Sequence, residues 1–254
     1  EEFNRRLGGL AAALHCAPTP LAEHNLLAEG VGPELIHVTG NTVIDTLVHT
    51  VARQRLRASF WRRQFPWLGS QRLVLVTAHR RENCGEGLGN LGRALRILAR
   101  RFPETQFVLP LHPNPQVRAS LGAHTSAYPN VRMVDPIAYP GFVWLLDQST
   151  FVMTDSGGIQ EEAPALRKPV LVLRDVTERP EAVESGAAEL VGTSVSGIVD
   201  AASELLTNPA EYARRQIDHN PFGDGRAAER IVQLLLDRAW SIDAQPIPAA
   251  LAAA

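Results

Sequence analysis

The sequence predicts an α/β fold built on a doubly wound parallel sheet. From about Arg72 onward, short apolar runs rich in β-branched residues alternate with amphipathic stretches in a regular order, which is the pattern of repeated βα units. The apolar runs are continuous rather than alternating, and this is typical of parallel strands that helices cover on both faces. We therefore expect a Rossmann-like domain in which ligands bind beyond the carboxyl ends of the strands.

The pattern predicts six strands in this domain, and several of the following loops lead into clear helical segments. The strands are Arg72–Thr77, Gln106–Leu111, Val131–Val134, Thr150–Thr154, Pro169–Leu173 and Glu189–Val191. The clearest helices are Leu88–Arg101, Phe142–Asp147 and Ile159–Leu166. Polar residues that directly follow these strands are the candidates for binding and chemistry.

Two further segments flank the predicted sheet. Upstream, a short strand at Ile36–Thr39 and a long helix are typical of a connection between domains. Downstream, glycines within 223–225 precede a helix over Arg226–Trp240, and the Pro/Ala-rich residues 245–254 are predicted to be disordered. The chain opens on a helical pattern at Glu1 rather than on an early strand, so we expect the native protein to have a further N-terminal region.

The composition excludes several classes of function. Hydrophobic residues make up 45% and charged residues 20% of the 254 residues, and no apolar run approaches the roughly 18 residues of a membrane helix. A formal charge of -2 gives no reason to expect nucleic acid or a membrane surface as a partner. Cys16 and Cys84 lie too far apart for a CxxC site, and no histidines have metal-ligand spacing. We expect a cytoplasmic protein with reduced thiols, no metal and no cofactor.

The strongest local signal is a strand that runs into the turn Asp155-Ser156-Gly157-Gly158 and then into a helix. The glycines allow an anion to approach the backbone, Ser156 can donate its hydroxyl and cap the helix, and the first helical N–H groups favour negative charge. The turn therefore suits a diphosphate, although an ordinary tight turn with a helix cap has the same sequence. Glu162 is placed to accept two hydrogen bonds from a ribose diol, or to be a solvated helix glutamate.

Basic side chains follow the first two predicted strands. His79 and Arg80 come directly after the strand that ends at Thr77. Here a histidine can move a proton or donate to a phosphate oxygen, and an arginine can bind phosphate with two hydrogen bonds. The alternative is a solvated charge cluster. His112 follows the next strand, where a structural histidine is an equally good interpretation.

An arginine and an aromatic residue complete the set of candidates. Arg179 follows the strand Pro169–Leu173, so it can face an anionic ligand or simply pair with Glu178 or Glu181. Phe142 lies in an apolar run, where it can stack on a planar base or belong to the core.

Six different motifs are distributed over nearly the whole chain apart from the tail. They are Glu1-Glu-Phe-Asn-Arg, Val38-Thr-Gly-Asn-Thr-Val-Ile-Asp-Thr-Leu, His79-Arg-Arg-Glu-Asn, Thr154-Asp-Ser-Gly-Gly-Ile-Gln-Glu-Glu-Ala-Pro, Thr177-Glu-Arg-Pro-Glu and Asn220-Pro-Phe-Gly-Asp-Gly. Together they resemble the non-hydrolysing UDP-N-acetylglucosamine 2-epimerases. The second and fourth motifs are long enough to be specific.

The resemblance implies two Rossmann-like domains arranged as in GT-B glycosyltransferases, with the nucleotide sugar in the cleft. It implies interconversion of UDP-GlcNAc and UDP-ManNAc at C2, by elimination of UDP to an enzyme-bound 2-acetamidoglucal and re-addition, without metal or nicotinamide. Matched by position, His79 and Glu1 would be catalytic. The substrate contacts would be His79, Phe142, Ser156, Gly157, Gly158, Glu162 and Arg179. Arg80 and His112 match positions that contact a second, activating UDP-GlcNAc in some bacterial members.

The resemblance also suggests a division of the chain. Residues 1–40 would be the remnant of an N-terminal domain with its connection, 41–222 the C-terminal UDP-binding lobe, 223–240 a helix that packs toward the N-terminal domain, and 241–254 a disordered tail. UDP-GlcNAc or UDP is the expected ligand, and a homodimer is expected because family members usually form one. Two other functions stay open: a GT-B glycosyltransferase that uses UDP-GlcNAc, and a UDP-sugar-binding module without turnover.

Overall fold

The structure is a computed structural model that describes residues 2–78, 86–111 and 115–243. It has two compact units, one formed by residues 1–45 with 222–254 and the other by residues 46–221. The boundary at 45–46 falls in the first turns of a long helix. In the described part, no helix is long and apolar enough to cross a membrane.

The helices and strands follow one another in the order that the sequence pattern predicts for a βα protein. The elements before the large sheet are α1 (Glu2–Ala11), β1 (His15–Ala17), α2 (Pro20–Ala28), β2 (Ile36–Val38), α3 (Thr42–Arg55) and α4 (Ala58–Gln64). The remaining elements are β3 (Arg72–Thr77), α5 (Glu86–Arg101), β4 (Thr105–Pro110), α6 (Pro115–Thr125), β5 (Val131–Val134), α7 (Tyr139–Gln148), β6 (Phe151–Thr154), α8 (Gly157–Ala165), β7 (Val170–Val172), α9 (Pro180–Glu184), β8 (Ala188–Leu190), α10 (Val195–Thr207), α11 (Pro209–Arg214) and α12 (Ala227–Asp243).

The large sheet of the second unit has six strands in the order β5-β4-β3-β6-β7-β8. Every neighbouring pair is parallel. The chain builds outward from β3 on one side and then crosses to β6 on the other, which is the topology of a doubly wound sheet. The predicted fold class is confirmed, and the crossing point between β3 and β6 is where such sheets open a crevice for ligands.

Both faces of the sheet are buried. Val74 and Val76 belong to a core cluster with apolar residues of α5, α6 and α10, such as Leu95. Leu73 and Leu75 alternate with them along β3 and are as deeply buried, although they are not members of that cluster. Successive strand residues point to opposite faces, so helices cover each face and the continuous apolar runs are explained.

The first unit contains a two-stranded parallel sheet in which His15 pairs with Ile36 and Ala17 with Val38. The sequence pattern does not predict β1, because three residues that include a histidine show no period. The start of α12 is fixed by Asp45, whose two carboxylate oxygens accept the N–H groups of Ala227 at 3.1 Å and Ala228 at 2.8 Å. A side chain outside the helix thus satisfies two of its first N–H groups.

The ends of several elements differ from the prediction by one to three residues. The strand predicted at Gln106–Leu111 is Thr105–Pro110, and the one predicted at Glu189–Val191 is Ala188–Leu190. Helix α12 continues to Asp243, so the first residues of the predicted disordered tail are helical. Residues 244–254 lie outside the described residues.

A cluster of aromatic rings packs α7 against α4 and the residue that follows it. Trp61 stacks with Trp144 at 6.4 Å between ring centroids, and Phe65 stacks with both at 5.9 Å. Gly141, in the first turn of α7, leaves no room for a side chain, since a Cβ there would come within 3.0 Å of the Trp61 ring. The position of the first turn of α7, which carries Phe142, is therefore set by close packing.

Candidate functional site

The candidate site begins at the crossing point of the sheet. Thr77 and Thr154 end the neighbouring strands β3 and β6, and their hydroxyl oxygens lie 2.6 Å apart in a hydrogen bond. The Asp155 N–H donates to the Thr77 carbonyl at 3.2 Å, so the pairing continues one residue beyond β6. The turn that follows therefore emerges at the crevice where doubly wound sheets bind ligands.

The turn Ser156-Gly157-Gly158 opens helix α8 as predicted, with Ser156 at the N-cap position. The expected capping bond from the Ser156 side chain is absent, which corrects that part of the prediction. Instead the Ser156 N–H donates to the Thr154 hydroxyl at 2.9 Å. Gly158 is exposed, and a Cβ there would have as its nearest neighbour the Ser156 Oγ at 4.0 Å. The start of α8, whose first N–H groups the helix itself cannot satisfy, thus has open space beside Gly158.

Three consecutive residues of α8 connect the turn to two other segments. Gln160, Glu161 and Glu162 are all buried. Thr177 donates its hydroxyl to Gln160 Oε1 at 2.6 Å, and the Tyr139 hydroxyl donates to Glu162 Oε1 at 3.2 Å. Helix α8 therefore holds together the loops that follow β5, β6 and β7.

A third connection, made by Glu161, is an ion pair. The Arg179 Nε donates to Glu161 Oε1, and the Glu161 side chain is only 8% exposed while that of Arg179 is 36% exposed. Glu178, one of the two partners considered from the sequence, pairs instead with Arg174 through two hydrogen bonds of 2.7 and 3.1 Å. The guanidinium of Arg179 is thus held through Nε on Glu161 and through Nη1 on the Glu178 carbonyl at 3.0 Å, and its side chain stays partly exposed.

Glu162 is a buried carboxyl, so the interpretation as a solvated helix glutamate is wrong. Its residue is 6% exposed. Burial raises the pKa of Glu162 to about 7, the hydrogen bond from Tyr139 opposes this rise, and the neighbouring Glu161 charge adds to it. Burial also raises the pKa of the Tyr139 hydroxyl, and the negative charge of Glu162 raises it further. Near neutral pH this carboxyl can both accept and donate hydrogen bonds.

We expect the stability of the protein to depend on pH through Glu162. Because its pKa is raised from 4.5 to about 7, the folded state holds this proton more tightly than the unfolded state. The free energy of unfolding should therefore fall by about 3 kcal/mol as pH rises from about 4.5 to about 7, and change little above that. Urea unfolding at a series of pH values measures this slope.

The matched variant is Glu162→Gln, which keeps the shape and removes the titration. The wild-type chain should show this pH dependence and Glu162→Gln should lack it, so the difference in their unfolding free energies should change with pH. Tyr139→Phe removes a hydrogen bond that lowers the Glu162 pKa, so it should move the upper end of the slope to higher pH. A slope that survives in Glu162→Gln would show that another group causes it.

Phe142 lies in the first turn of α7 and is partly buried, whereas the next four residues, 143–146, are buried. Its N–H donates to the Ala138 carbonyl at 3.1 Å. The Tyr139 side chain lies one turn earlier on the same helix and reaches Glu162. Phe142 is therefore more exposed than the four residues that follow it, and stacking on a base would require such exposure.

Four predicted site residues lie outside the described residues: Glu1, His79, Arg80 and His112. Among residues 2–78, 86–111 and 115–243, no group of three or more His, Cys, Asp or Glu side chains is arranged to hold a metal ion. The site residues that sequence reasoning misses are Tyr139, Gln160, Glu161 and Thr177. Only the consecutive polar residues 160–162 give a signal for them, because such a run in a helix that packs on a sheet requires partners for its buried groups.

The strand order, together with an open Ser-Gly-Gly turn at the crossing point, defines the class of doubly wound α/β domains that bind ligands at this edge of the sheet. The family model described as UDP-N-acetylglucosamine 2-epimerase matches residues 1–236. The chain belongs to this family.

Relatives that are similar in sequence match nearly the whole length of this chain. A probable UDP-N-acetylglucosamine 2-epimerase of Ralstonia nicotianae is 46% identical over 239 residues, which are 92% of this chain and 64% of that protein. The UDP-N-acetylglucosamine 2-epimerase of Neisseria meningitidis serogroup A is 44% identical over 241 residues, 93% of this chain and 64% of its own length. A crystal structure of UDP-GlcNAc 2-epimerase from Neisseria meningitidis bound to UDP-GlcNAc matches with a TM-score of 0.88 and 42% identity, covering 93% of this chain and 65% of that one. The chain thus spans less than two thirds of the length of these relatives.

Proposed function

We propose that this chain is the nucleotide-binding part of an enzyme that interconverts UDP-GlcNAc and UDP-ManNAc by inversion at C2. The observation that carries the proposal is the open turn Ser156-Gly157-Gly158 at the crossing point of the sheet, tied through α8 to Arg179. Family membership and the UDP-GlcNAc complex of the Neisseria relative support the choice of substrate. The reaction is proposed for an enzyme of the relatives' length that includes this chain.

Each described site residue has a proposed contact with the UDP part of the substrate. The N–H groups at the start of α8 and the Ser156 hydroxyl bind the diphosphate, and the helix dipole favours its negative charge. The guanidinium of Arg179 supplies a second group for the same diphosphate. The Glu162 carboxyl binds the ribose hydroxyls and Phe142 stacks on the uracil.

The proposed reaction breaks two bonds and then remakes them. A base removes the proton from C2 while the C1–O bond to UDP breaks, which leaves a C1–C2 double bond in 2-acetamidoglucal. UDP then returns to C1 and a proton is added to the other face of C2. The diphosphate contacts stabilise the charge that develops on departing UDP, which is the part of catalysis that this chain's described residues would provide.

The remaining predicted roles belong to this proposal as well. His79 and Glu1 act as catalytic groups in proton transfer, with His79 also contacting the substrate, and Arg80 and His112 contact a second, activating UDP-GlcNAc. The enzyme uses no cofactor, forms a homodimer and works in the cytoplasm. Of the other functions that the sequence leaves open, neither a glycosyltransferase nor a module without turnover is favoured by a particular contact in the structure.

Two measurements test the proposal at two levels. Calorimetric titration of this chain with UDP should show binding at one site. An enzyme of the relatives' length, incubated with UDP-GlcNAc in deuterated water, should form UDP-ManNAc and exchange the C2 hydrogen of both sugars for deuterium. UDP-GlcNAc that stays unlabelled at C2 would refute the epimerase reaction, and consumption only when an acceptor is added would indicate a glycosyltransferase.

A further inference from the structure

Gln160 is a fully buried amide in the second turn of α8, and both ends of its side chain are hydrogen bonded. It is 0% exposed. Its Nε2 donates to the Ser156 carbonyl at 3.2 Å, and its Oε1 accepts from the Thr177 hydroxyl at 2.6 Å. An amide buried in this way costs free energy unless its donors and acceptors are satisfied, so these contacts hold it in one orientation.

The bonds continue beyond Thr177. The Thr177 oxygen accepts the N–H of Arg179 at 3.1 Å. A continuous path of hydrogen bonds therefore leads from the carbonyl of Ser156, through the side chains of Gln160 and Thr177, to the backbone of Arg179. It joins the two segments to which the proposed function assigns the diphosphate.

Filling the volume would not require an amide at this position. A methionine has about the length and volume of a glutamine and would pack in a buried site without hydrogen bonds. A methionine would form no such hydrogen bonds, whereas the hydrogen bonds of a glutamine fix both the distance and the angle to its partners. The side chain of Gln160 thus sets the spacing between the turn and the segment 177–179, in addition to filling space.

We propose that Gln160 is a positioning residue for the diphosphate of the substrate. It holds the Ser156-Gly157-Gly158 turn and Arg179 at the separation at which both bind the same diphosphate. This inference rests on the proposed function. Groups fixed in advance lose less entropy when the ligand binds, so the effect of Gln160 falls on affinity for the diphosphate and leaves the nucleoside contacts unaffected.

The test compares two ligands and three variants of this chain. UDP carries the diphosphate, whereas uridine has only the base and ribose that Phe142 and Glu162 contact. Gln160→Met should raise the Kd for UDP about tenfold and leave the Kd for uridine unchanged within about twofold. Calorimetry measures the first constant and ligand-observed NMR the second. Thr177→Val breaks the same path from its other end and should give the same selective loss.

The matched control is Gln106→Met. Gln106 is also buried and also uses both ends of its amide, donating to Gln71 Oε1 at 2.6 Å and accepting from Arg132 Nε at 3.2 Å. It lies near the amino end of β4, at the opposite edge of the sheet from the turn. This variant should lose stability without any change in the Kd for UDP.

The outcomes separate the two proposals. Loss of UDP affinity in Gln160→Met and Thr177→Val, with uridine binding kept, supports the positioning role. If Gln160→Met does not fold, Thr177→Val decides the matter alone. An unchanged Kd for UDP, or an equal loss for UDP and uridine, overturns the role of Gln160 while the proposed function stands. A wild-type chain that binds no UDP refutes the proposed function itself.

Discussion

Replacing Arg179 with alanine should lower the affinity of the chain for UDP on the order of 100-fold, because a charged contact to the diphosphate is lost. The same change should lower the free energy of unfolding by about 2 kcal/mol, since the buried Glu161 carboxylate loses its guanidinium. Calorimetry with UDP and urea unfolding measure the two effects separately.

A second variant distinguishes binding from folding. In Arg179→Ala with Glu161→Gln, the buried carboxylate is gone, so most of the lost stability should return. Affinity for UDP should stay low, because the cation is still absent. If the affinity returns together with the stability, Arg179 acts through the fold and does not contact the ligand. Unchanged affinity in the single variant would remove Arg179 from the site.

Replacing Gly158 with alanine should also weaken UDP binding on the order of 100-fold, but without loss of stability. A Cβ at this position meets no neighbour closer than the Ser156 Oγ at 4.0 Å, so the folded chain has room for it. The methyl group would occupy the space through which a phosphate approaches the first N–H groups of α8. Stability should equal that of wild type or exceed it by up to about 1 kcal/mol, as for glycine to alanine in helices.

The control for this change is Gly89→Ala. Gly89 lies in α5, and a Cβ there also meets nothing within 4 Å. The substitution is the same and the surroundings are equally open, so stability should rise while the Kd for UDP stays constant. Equal UDP affinity in Gly158→Ala and Gly89→Ala would mean that the turn does not bind the diphosphate.

Much of the fold can be predicted from local sequence patterns. The prediction for β3 and β5 has the same bounds as the structure, because each is a short apolar run flanked by polar or turn residues. Helix α5 can be predicted from a different signal, because Leu91, Leu95 and Leu98 are spaced for one buried face of a helix. In contrast, β1 exists because a partner strand lies beside it, and α6 is only weakly amphipathic. Neither leaves a clear period in the sequence.

The candidate site likewise has features that the sequence predicts and features that it does not. The turn after β6 can be predicted because its chemistry lies within four consecutive residues. The choice of Glu161 as the partner of Arg179 cannot, since Glu178 and Glu181 are much nearer in sequence and only the packing of α8 brings Glu161 close. The contact between Tyr139 and Glu162 spans 23 residues and also depends on tertiary structure. Sequence patterns identify the loops of the site, whereas the pairing of side chains between loops follows from packing.

Binding of the diphosphate at the turn after β6 is tested most directly by mapping UDP binding on the backbone amides of this chain by NMR. Addition of UDP should shift the amide signals of Gly157, Gly158 and Ile159 most strongly, because their N–H groups would bind the diphosphate, with further shifts near Arg179. If UDP binds and leaves these amides unchanged, or shifts mainly residues of the first unit, the diphosphate does not bind at the turn after β6.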